Sequence, residues 1–131
     1  MDFKFIKYEL SNGIATITLN RPEVYNALND AITYELQDAF KQVARDAEAR
    51  VVVLTGEGKA FCSGQDLKAV SGSEKRSFLQ SLHKRYNPLI TLMQTLPKPI
   101  ICRLNGVAAG AGCSIALACD LIIAAEEATL I

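Results

Sequence analysis

Two glycine-containing turns are the features of this sequence whose residue types and spacing could do chemistry. The first spans residues 58–67 and the second spans residues 105–113. Each follows an apolar segment that has the pattern of a buried strand, and each leads toward a helix. In open α/β sheets, ligands bind at the carboxyl ends of the strands, where the start of a helix presents free N–H groups and the positive end of its dipole. The two turns therefore predict a ligand site built from backbone N–H groups.

Glycine content alone leaves an alternative open, in which each turn is a tight loop that packs a helix onto a strand. Two other ligand classes are not indicated. The sequence lacks the Gly-x-x-x-x-Gly-Lys-[Ser/Thr] pattern of phosphate-binding loops, and residues 110–112 lack the third glycine of a dinucleotide-binding fingerprint.

Nucleophilic catalysis is not indicated either. No base is evident beside the thiols and hydroxyls of the two turns, which belong to Cys62, Ser63, Cys113 and Ser114. We interpret the two cysteines as small packing residues. The single histidine, His83, is predicted to lie on a helix next to Lys84 and Arg85, and we interpret it as a surface residue.

The elements that must position the turns follow an α/β pattern with a mainly parallel sheet. The chain opens with a hairpin around Asn12-Gly13, and apolar segments then alternate with amphipathic ones. The predicted strands are Phe3–Leu10, Ile14–Leu19, Val51–Thr55, Ile100–Leu104 and Leu121–Ala124. The predicted helices are Ala31–Ala47 with Asn29 or Asp30 as its cap, Asp66–Glu74, Phe78–Leu96 with a kink or restart at Pro88, and Cys113–Ala118.

Composition sets the limits within which these elements work. The 131 residues are 50% hydrophobic and carry no net charge, so bulk charge does not indicate nucleic acid as a partner. The four cysteines form no C-x-x-C pair, and with one histidine they do not predict a metal site. No signal-peptide pattern or membrane-length apolar run is found, which predicts a cytoplasmic protein without a membrane partner.

Several motifs, taken together and in order, resemble the enoyl-CoA hydratase/isomerase (crotonase) family. The motifs are Asn20-Arg21-Pro22 with Asn26-Ala27-Leu28, the first glycine turn, Pro97-Lys98-Pro99, and the segment from Asn105-Gly106 to Cys119-Asp120. The stretch 86–90 and the turn 107–112 look most like the branch of epoxyphenylacetyl-CoA isomerases. The resemblance implies the crotonase-like ββα spiral, of which residues 1–131 would form the N-terminal portion as one domain, truncated on its C-terminal side.

The resemblance also implies a reaction centre. In this family the thioester carbonyl of an acyl-CoA accepts two backbone hydrogen bonds, and the matching donors here are Gln65 and Ala111. The helix that starts near Gly112 would add its dipole to the same oxygen. Donors of this kind stabilise the negative charge that develops on the oxygen, and the loss of one costs about 3 kcal/mol.

The resemblance further implies where coenzyme A would bind. The groove would be lined by Val24, Ala27 and the backbone around Ala60, Ser63 and Asp66. On charge grounds, Arg21 and Lys59 are candidate partners for the CoA phosphates. No permanently bound cofactor is implied, since the CoA thioester is the substrate. A homo-oligomer, trimeric or hexameric, is expected from the same analogy.

The sequence departs from the family at its acids. Hydratases of the family use two glutamates, and the first would occupy the position of Ser114, whose hydroxyl does not ionise near neutral pH. A second carboxylate would lie beyond Ile131. Glu126 and Glu127 are interpreted as solvated turn residues, and Asp66 as a helix cap. These departures favour isomerisation over hydration. The alternative is a non-catalytic module that binds acyl thioesters or acyl carriers, an assembly partner, or an inactive fragment.

Overall fold

A five-stranded sheet forms the centre of the protein. The computed structural model describes residues 2–67, 80 and 82–131, without the side chain of Leu82. The strands of the sheet follow the order β1-β2-β3-β5-β7, and only β1 and β2 are antiparallel. Their bounds are β1 Ile6–Ser11, β2 Ile14–Leu19, β3 Val51–Gly56, β5 Ile100–Leu104 and β7 Leu121–Ala124. The predicted α/β class with a mainly parallel sheet is therefore confirmed.

The opening hairpin turns at Asn12 and Gly13, whose φ angles of 51° and 81° are those of a tight two-residue turn. The first strand begins at Ile6 and not at Phe3 as predicted. The reason is a competing acceptor, because the N–H groups of Lys4, Phe5 and Ile6 all donate to Oε1 of Glu35. The start of the chain is thus tied to the first helix before it joins the sheet.

Helix α1 (Asp30–Arg45) covers one face of the sheet. Asn29 caps it, since its side chain accepts the N–H of Ile32 over 3.0 Å, as predicted. The helix buries an apolar face at helical spacing, and this face joins the core of the sheet. The buried apolar residues of α1 are Ile32, Leu36, Ala39, Phe40 and Val43.

The second predicted amphipathic helix changes its geometry along its length. Leu82–Tyr86 is a π-helical turn, and helix α2 (Asn87–Thr95) follows with Pro88 in its first turn. The predicted restart at Pro88 is confirmed. Its predicted beginning at Phe78 and most of the predicted helix Asp66–Glu74 lie outside the described residues. The third helix, α3, runs from Ala111 to Leu117 and so begins two residues before the predicted start at Cys113.

Both glycine turns contain short strands, which the sequence did not predict. Strand β4 (Ala60–Cys62) pairs in parallel with β6 (Val107–Ala108), and Ala108 also bridges to Leu130. These strands escaped prediction because each has only two or three residues and its partner is distant in sequence. They form a second, smaller sheet that joins the two turns directly.

The edge strand β7 is apolar but exposed. Leu121 and Ile123 are 61% and 64% exposed, and Leu117 on α3 is 60% exposed. In the part of the chain that the structure describes, no helix is long and apolar enough to cross a membrane.

Candidate active site at the paired glycine turns

The two glycine turns meet at Gly64. Pairing of β4 with β6 brings them side by side, and the N–H of Ala109 donates to the carbonyl of Cys62 over 3.0 Å. Gly64 has a φ of +102°, and a Cβ built on it would lie 2.9 Å from the Ala109 oxygen and 3.7 Å from the Ala111 nitrogen. Only glycine allows this approach. The residues that follow Gly64 and Gly110, which are Gln65 and Ala111, therefore lie on the two sides of this close contact, which we call the two walls of the candidate site.

The N–H of Gln65 is aimed by its neighbours. The N–H of Leu28 donates to the Gly64 carbonyl over 2.7 Å, and the N–H of Asp66 donates to the Leu28 carbonyl over 2.8 Å. In a trans peptide the carbonyl and the N–H point in opposite directions. Because the Gly64 carbonyl faces Leu28, the Gln65 N–H faces away from it, and it has no acceptor among the described residues.

The N–H of Ala111 is aimed in the same manner. Gly110 has a φ of +56°, and its carbonyl accepts the N–H of Ser114 over 3.2 Å inside the first turn of α3. The N–H of the next residue, Ala111, therefore points out of the helix. Nothing in the described ranges accepts it. Among the described residues, a backbone N–H group without an acceptor thus lies on each of the two walls.

Gly112 lies in the first turn of α3, one residue after the start of the helix at Ala111. Its own N–H donates to the Ala109 carbonyl over 2.9 Å. A Cβ at this position would lie 2.3 Å from the Cys62 carbonyl oxygen. The role of Gly112 that the structure supports is close packing of α3 against β4, because any side chain would push the helix away.

Two asparagines that lie in the recognised motifs, but were given no role, hold the first turn in shape. Asn26 is fully buried with a φ of 59°, and its Nδ2 donates to the carbonyls of Glu57 and Phe61 at 3.0 and 3.2 Å. Asn105 accepts the N–H of Gly56 over 3.1 Å and donates to the Gly58 carbonyl over 3.1 Å. Asparagine tolerates the left-handed region of backbone conformation, so an asparagine in this motif is a signal that could have predicted the structural role of Asn26.

The charged residues predicted to contact coenzyme A differ in their availability. The guanidinium of Arg21 donates to the Ala27 carbonyl, pairs with Asp66 over 3.2 Å and lies 5.8 Å from the ring centre of Phe5. Asp66 is therefore an ion-pair partner of Arg21 in this structure. Lys59 is exposed at the start of β4. A role for either cation in phosphate binding stays a prediction, and Lys59 is the one with an exposed side chain.

The remaining predicted groove residues lie along the contact between residues 21–28 and the first turn. The N–H of Ser63 donates to the Tyr25 carbonyl over 3.0 Å, and its hydroxyl donates to the Val24 carbonyl over 3.3 Å. Ser63 is exposed and Val24 half-buried, whereas Ala27 and Ala60 are buried. The structure brings these residues together, while their contact with a ligand stays a prediction.

The other candidate groups do not form a second reaction centre. Burial raises the pKa of the Cys62 thiol to about 11, which suits a packing residue and not a nucleophile. His83, Ser114, Glu126 and Glu127 are exposed. Within residues 2–67, 80 and 82–131, no group of three or more His, Cys, Asp or Glu side chains is placed to hold a metal ion.

Comparison with known proteins assigns the chain and its fold to a family. The family model described as enoyl-CoA hydratase/isomerase matches residues 9–131. The chain belongs to the enoyl-CoA hydratase/isomerase family. It is 47% identical over 128 residues to a protein of Rhodobacter capsulatus named "Probable enoyl-CoA hydratase", covering 98% of this chain and 49% of that protein.

Two further members of the enoyl-CoA hydratase/isomerase family extend the comparison. The 1,2-epoxyphenylacetyl-CoA isomerase of Escherichia coli is 44% identical over 131 residues, covering 98% of this chain and 50% of the isomerase. The crystal structure of an enoyl-CoA hydratase from Mycobacterium smegmatis superposes with a TM-score of 0.90 at 38% identity, covering 97% of this chain and 50% of that one. The crotonase fold is thereby established. The chain spans about half the length of these relatives.

Proposed function

We propose that this protein binds an acyl-CoA and stabilises the enolate form of its thioester through the backbone N–H groups of Gln65 and Ala111. The observation that carries the proposal is that these two N–H groups have no acceptor in the described part of the chain and lie on two turns that approach each other at Gly64. Two fixed N–H groups aimed at one oxygen favour the state in which that oxygen carries negative charge. Membership of the family supports the choice of a thioester carbonyl as that oxygen.

The chemistry that follows is proton transfer next to the carbonyl. When a base removes a proton from the α- or γ-carbon of the acyl chain, the electron pair moves toward the thioester oxygen, where both N–H groups bind it. Protonation at another carbon then completes an isomerisation. We prefer this reaction to hydration because Ser114, an exposed hydroxyl, stands where a hydratase glutamate is expected. The carboxylate of Asp66 is engaged by Arg21 in this structure and is not our candidate for the base.

The CoA portion is proposed to lie over the seam between residues 21–28 and the first turn. Val24 and Ser63 would contact the ligand there, and the exposed ammonium of Lys59 would meet a phosphate. Ala27, Ala60 and Asp66 would support the groove from below, and Arg21 would hold Asp66 and the Ala27 carbonyl in place. No resident cofactor is part of the proposal.

A homo-oligomer is proposed as the working assembly. The exposed apolar residues of β7 and α3 support it, since apolar side chains exposed in this way are typical of a contact region. Sedimentation of the complete gene product would give its oligomeric state. A monomer at micromolar concentration would contradict this part of the proposal.

A matched pair of ligands tests the central claim. Butyryl-CoA has the thioester carbonyl but no double bond, so it binds without reacting. S-butyl-CoA is a thioether with the same chain and no carbonyl. In calorimetry on the complete gene product we expect butyryl-CoA to bind more tightly. Equal affinity for the two ligands would contradict an oxyanion site, and a non-catalytic acyl-carrier module would then be the better account.

The preference for isomerisation has its own measurement. The complete gene product is incubated with a 3-enoyl-CoA and, separately, with a 2-enoyl-CoA, and the products are separated by mass. An isomer has the mass of its substrate, whereas a hydrated product is heavier by one water. We expect the unchanged mass with a shifted double bond. Rapid gain of water from the 2-enoyl-CoA would reverse the preference.

A further inference from the structure

One charged side chain near the first glycine turn, that of Arg85, is buried. Arg85 is 1% exposed, and of the charged side chains in the described residues it is the one that is fully buried. A buried charge is costly unless partners surround it. Its Nε donates to the Thr33 hydroxyl over 3.1 Å and lies 3.3 Å from the Asp30 carboxylate, and both partners lie in the first turn of α1.

From Arg85 a chain of hydrogen bonds runs to Gln65. Nη2 of Arg85 donates to the Tyr86 hydroxyl over 3.4 Å, and the guanidinium carbon lies 4.9 Å from the centre of the Tyr86 ring. The Tyr86 hydroxyl in turn donates to Oε1 of Gln65. The direction is fixed, because a guanidinium can only donate. The Tyr86 oxygen therefore accepts, and its single proton is left for Gln65.

The protonation of Tyr86 agrees with this direction. Burial raises the pKa of the Tyr86 phenol above its ordinary value, although the nearby guanidinium of Arg85 works against the rise. The hydroxyl consequently keeps its proton throughout the neutral range.

The backbone of Arg85 is also held, since Gln37 Nε2 donates to its carbonyl over 3.0 Å. The helical turn that carries Arg85 and Tyr86 is thus anchored on α1.

We infer that Tyr86, backed by Arg85, is a positioning residue that holds Gln65 so that its backbone N–H stays aimed at the substrate oxygen. This inference rests on the proposed function of Gln65. The backbone of Gln65 is attached to Leu28 on one side through the carbonyl of Gly64 and the N–H of Asp66. The Tyr86 hydroxyl attaches its side chain from the helical turn Leu82–Tyr86. Gly64, with its φ of +102°, has more backbone freedom than other residues would have. The hydrogen bond from Tyr86 therefore limits the tilt of the peptide between Gly64 and Gln65.

Loss of the hydrogen bond from Tyr86 to Gln65, which we call the tether, should change kcat and KM differently. A donor that is held in place contributes most when charge has developed on the oxygen, so its loosening lowers kcat more than it changes KM. Tyr86→Phe removes the hydroxyl and keeps the ring over Arg85. We expect kcat to fall roughly tenfold, which is less than the loss of about 10²–10³-fold for complete removal of an oxyanion donor. Tyr34→Phe, on the exposed part of α1, is the matched control and should leave kcat unchanged.

A double-mutant cycle separates the tether from packing. If Tyr86 acts through the Gln65 side chain, Tyr86→Phe should have no further effect once Gln65→Met has removed the acceptor. If the hydroxyl mattered only for the stability of the helical turn, its removal would have the same effect in both backgrounds. The latter result would overturn the inference.

Infrared spectroscopy of bound butyryl-CoA, labelled with ¹³C at its carbonyl, distinguishes this inference from the proposed function. The bound carbonyl stretch should lie below that of the free ligand, and Tyr86→Phe should return part of the shift. An unchanged shift in Tyr86→Phe would overturn the tether and leave the oxyanion site intact. A wild-type spectrum equal to that of the free ligand would overturn the oxyanion site and the tether with it. All measurements use the complete gene product.

Discussion

Asn26 and Asn105 donate side-chain hydrogen bonds to the same acceptor, the carbonyl oxygen of Ala60, each over 3.0 Å. The two asparagines come from segments separated by most of the chain, and Ala60 begins the strand β4 between them. This shared acceptor fixes the first glycine turn against both the 21–28 segment and the second turn. The relative position of the two turns therefore depends on two side chains that take no part in the proposed chemistry.

Replacement of Asn105 by alanine should weaken this junction. Asn105→Ala leaves the part-buried Gly56 N–H without its acceptor, and an unsatisfied buried group costs about 1–3 kcal/mol, whereas the exposed Gly58 carbonyl can bind water instead. Urea unfolding measures the loss. Asn87→Ala, at the exposed start of α2, is the control. Equal stability of the two variants would show that the junction does not depend on Asn105.

Proline at position 111 should remove one donor and spare the helix. Ala111 is the first residue of α3, where proline is well tolerated and where its missing N–H costs the helix nothing. For Ala111→Pro we expect kcat to fall by about 10²–10³-fold. Ala111→Ser keeps the N–H and should stay within a few-fold of wild type. If the proline variant folds, as judged by circular dichroism, and retains full activity, Ala111 is not a donor.

A methyl group at Gly112 should separate the two walls. The added Cβ would lie 2.3 Å from the Cys62 oxygen and 2.8 Å from the Cys62 Cβ, so α3 must move. We expect Gly112→Ala to lower stability by about 1–3 kcal/mol, as overpacking does, and to lower kcat as well. Ser114→Ala, on the exposed side of the same helix, should change neither quantity. A large loss of activity in Ser114→Ala would instead give that hydroxyl a role in the reaction.

The buried thiol of Cys62 predicts a loss of stability at alkaline pH. Burial raises its pKa from 9.0 to about 11, so the unfolded chain releases this proton at lower pH than the folded chain does. The contribution is complete below pH 9 and is lost as the pH rises toward 11, by at most about 2–3 kcal/mol. The difference in unfolding free energy between wild type and Cys62→Ala should shrink over this interval. A difference that is independent of pH would contradict the shift.

Lys59 should contribute to the binding of coenzyme A and not to the chemical step. Its side chain is exposed beside the seam, so Lys59→Ala should raise KM a few-fold at low salt and leave kcat unchanged. Added salt should reduce the difference, because the ammonium and a phosphate would interact through solvent. Lys41→Ala on α1 is the matched control. A loss that is equally large at high salt would point to a structural role for Lys59.

The sequence predicted the elements that depend on local patterns. The hairpin at Asn12-Gly13 and the Asn29 cap of α1 were confirmed, since turn and cap chemistry act over a few residues. Strands β4 and β6 were missed because their pairing is long-range and their length is too short for a periodic signal. The candidate donors Gln65 and Ala111 came from the family resemblance, and the structure supplies the orientation of their N–H groups.

Charged side chains were the hardest to assign, because charge alone does not tell an anchor from a ligand-binding group. Arg21 was a candidate for CoA phosphates, yet it pairs with Asp66 inside the protein. Lys98, in the Pro-Lys-Pro motif, donates to the carbonyls of Val43 and Asp46 at the C-terminal end of α1. Arg85 follows His83 and Lys84 in a basic stretch that is typical of an exposed helix face. In the structure its side chain lies on the π-helical turn and is buried.

Because the two proposed donors are main-chain groups, a substitution at Ala111 other than proline keeps the N–H that is donated, and a substitution at Gln65 keeps the N–H but loses the side-chain contact with Tyr86. The physical constraint falls instead on Gly64 and Gly112, whose missing Cβ atoms allow the walls to approach. A protein in which main-chain groups stabilise the charge can exchange side chains around the bound thioester carbonyl. It can also acquire new acidic residues there and still stabilise the charge. The same pair of main-chain donors can in this way serve both hydratases and isomerases, which would then differ in the acidic side chains around the thioester carbonyl.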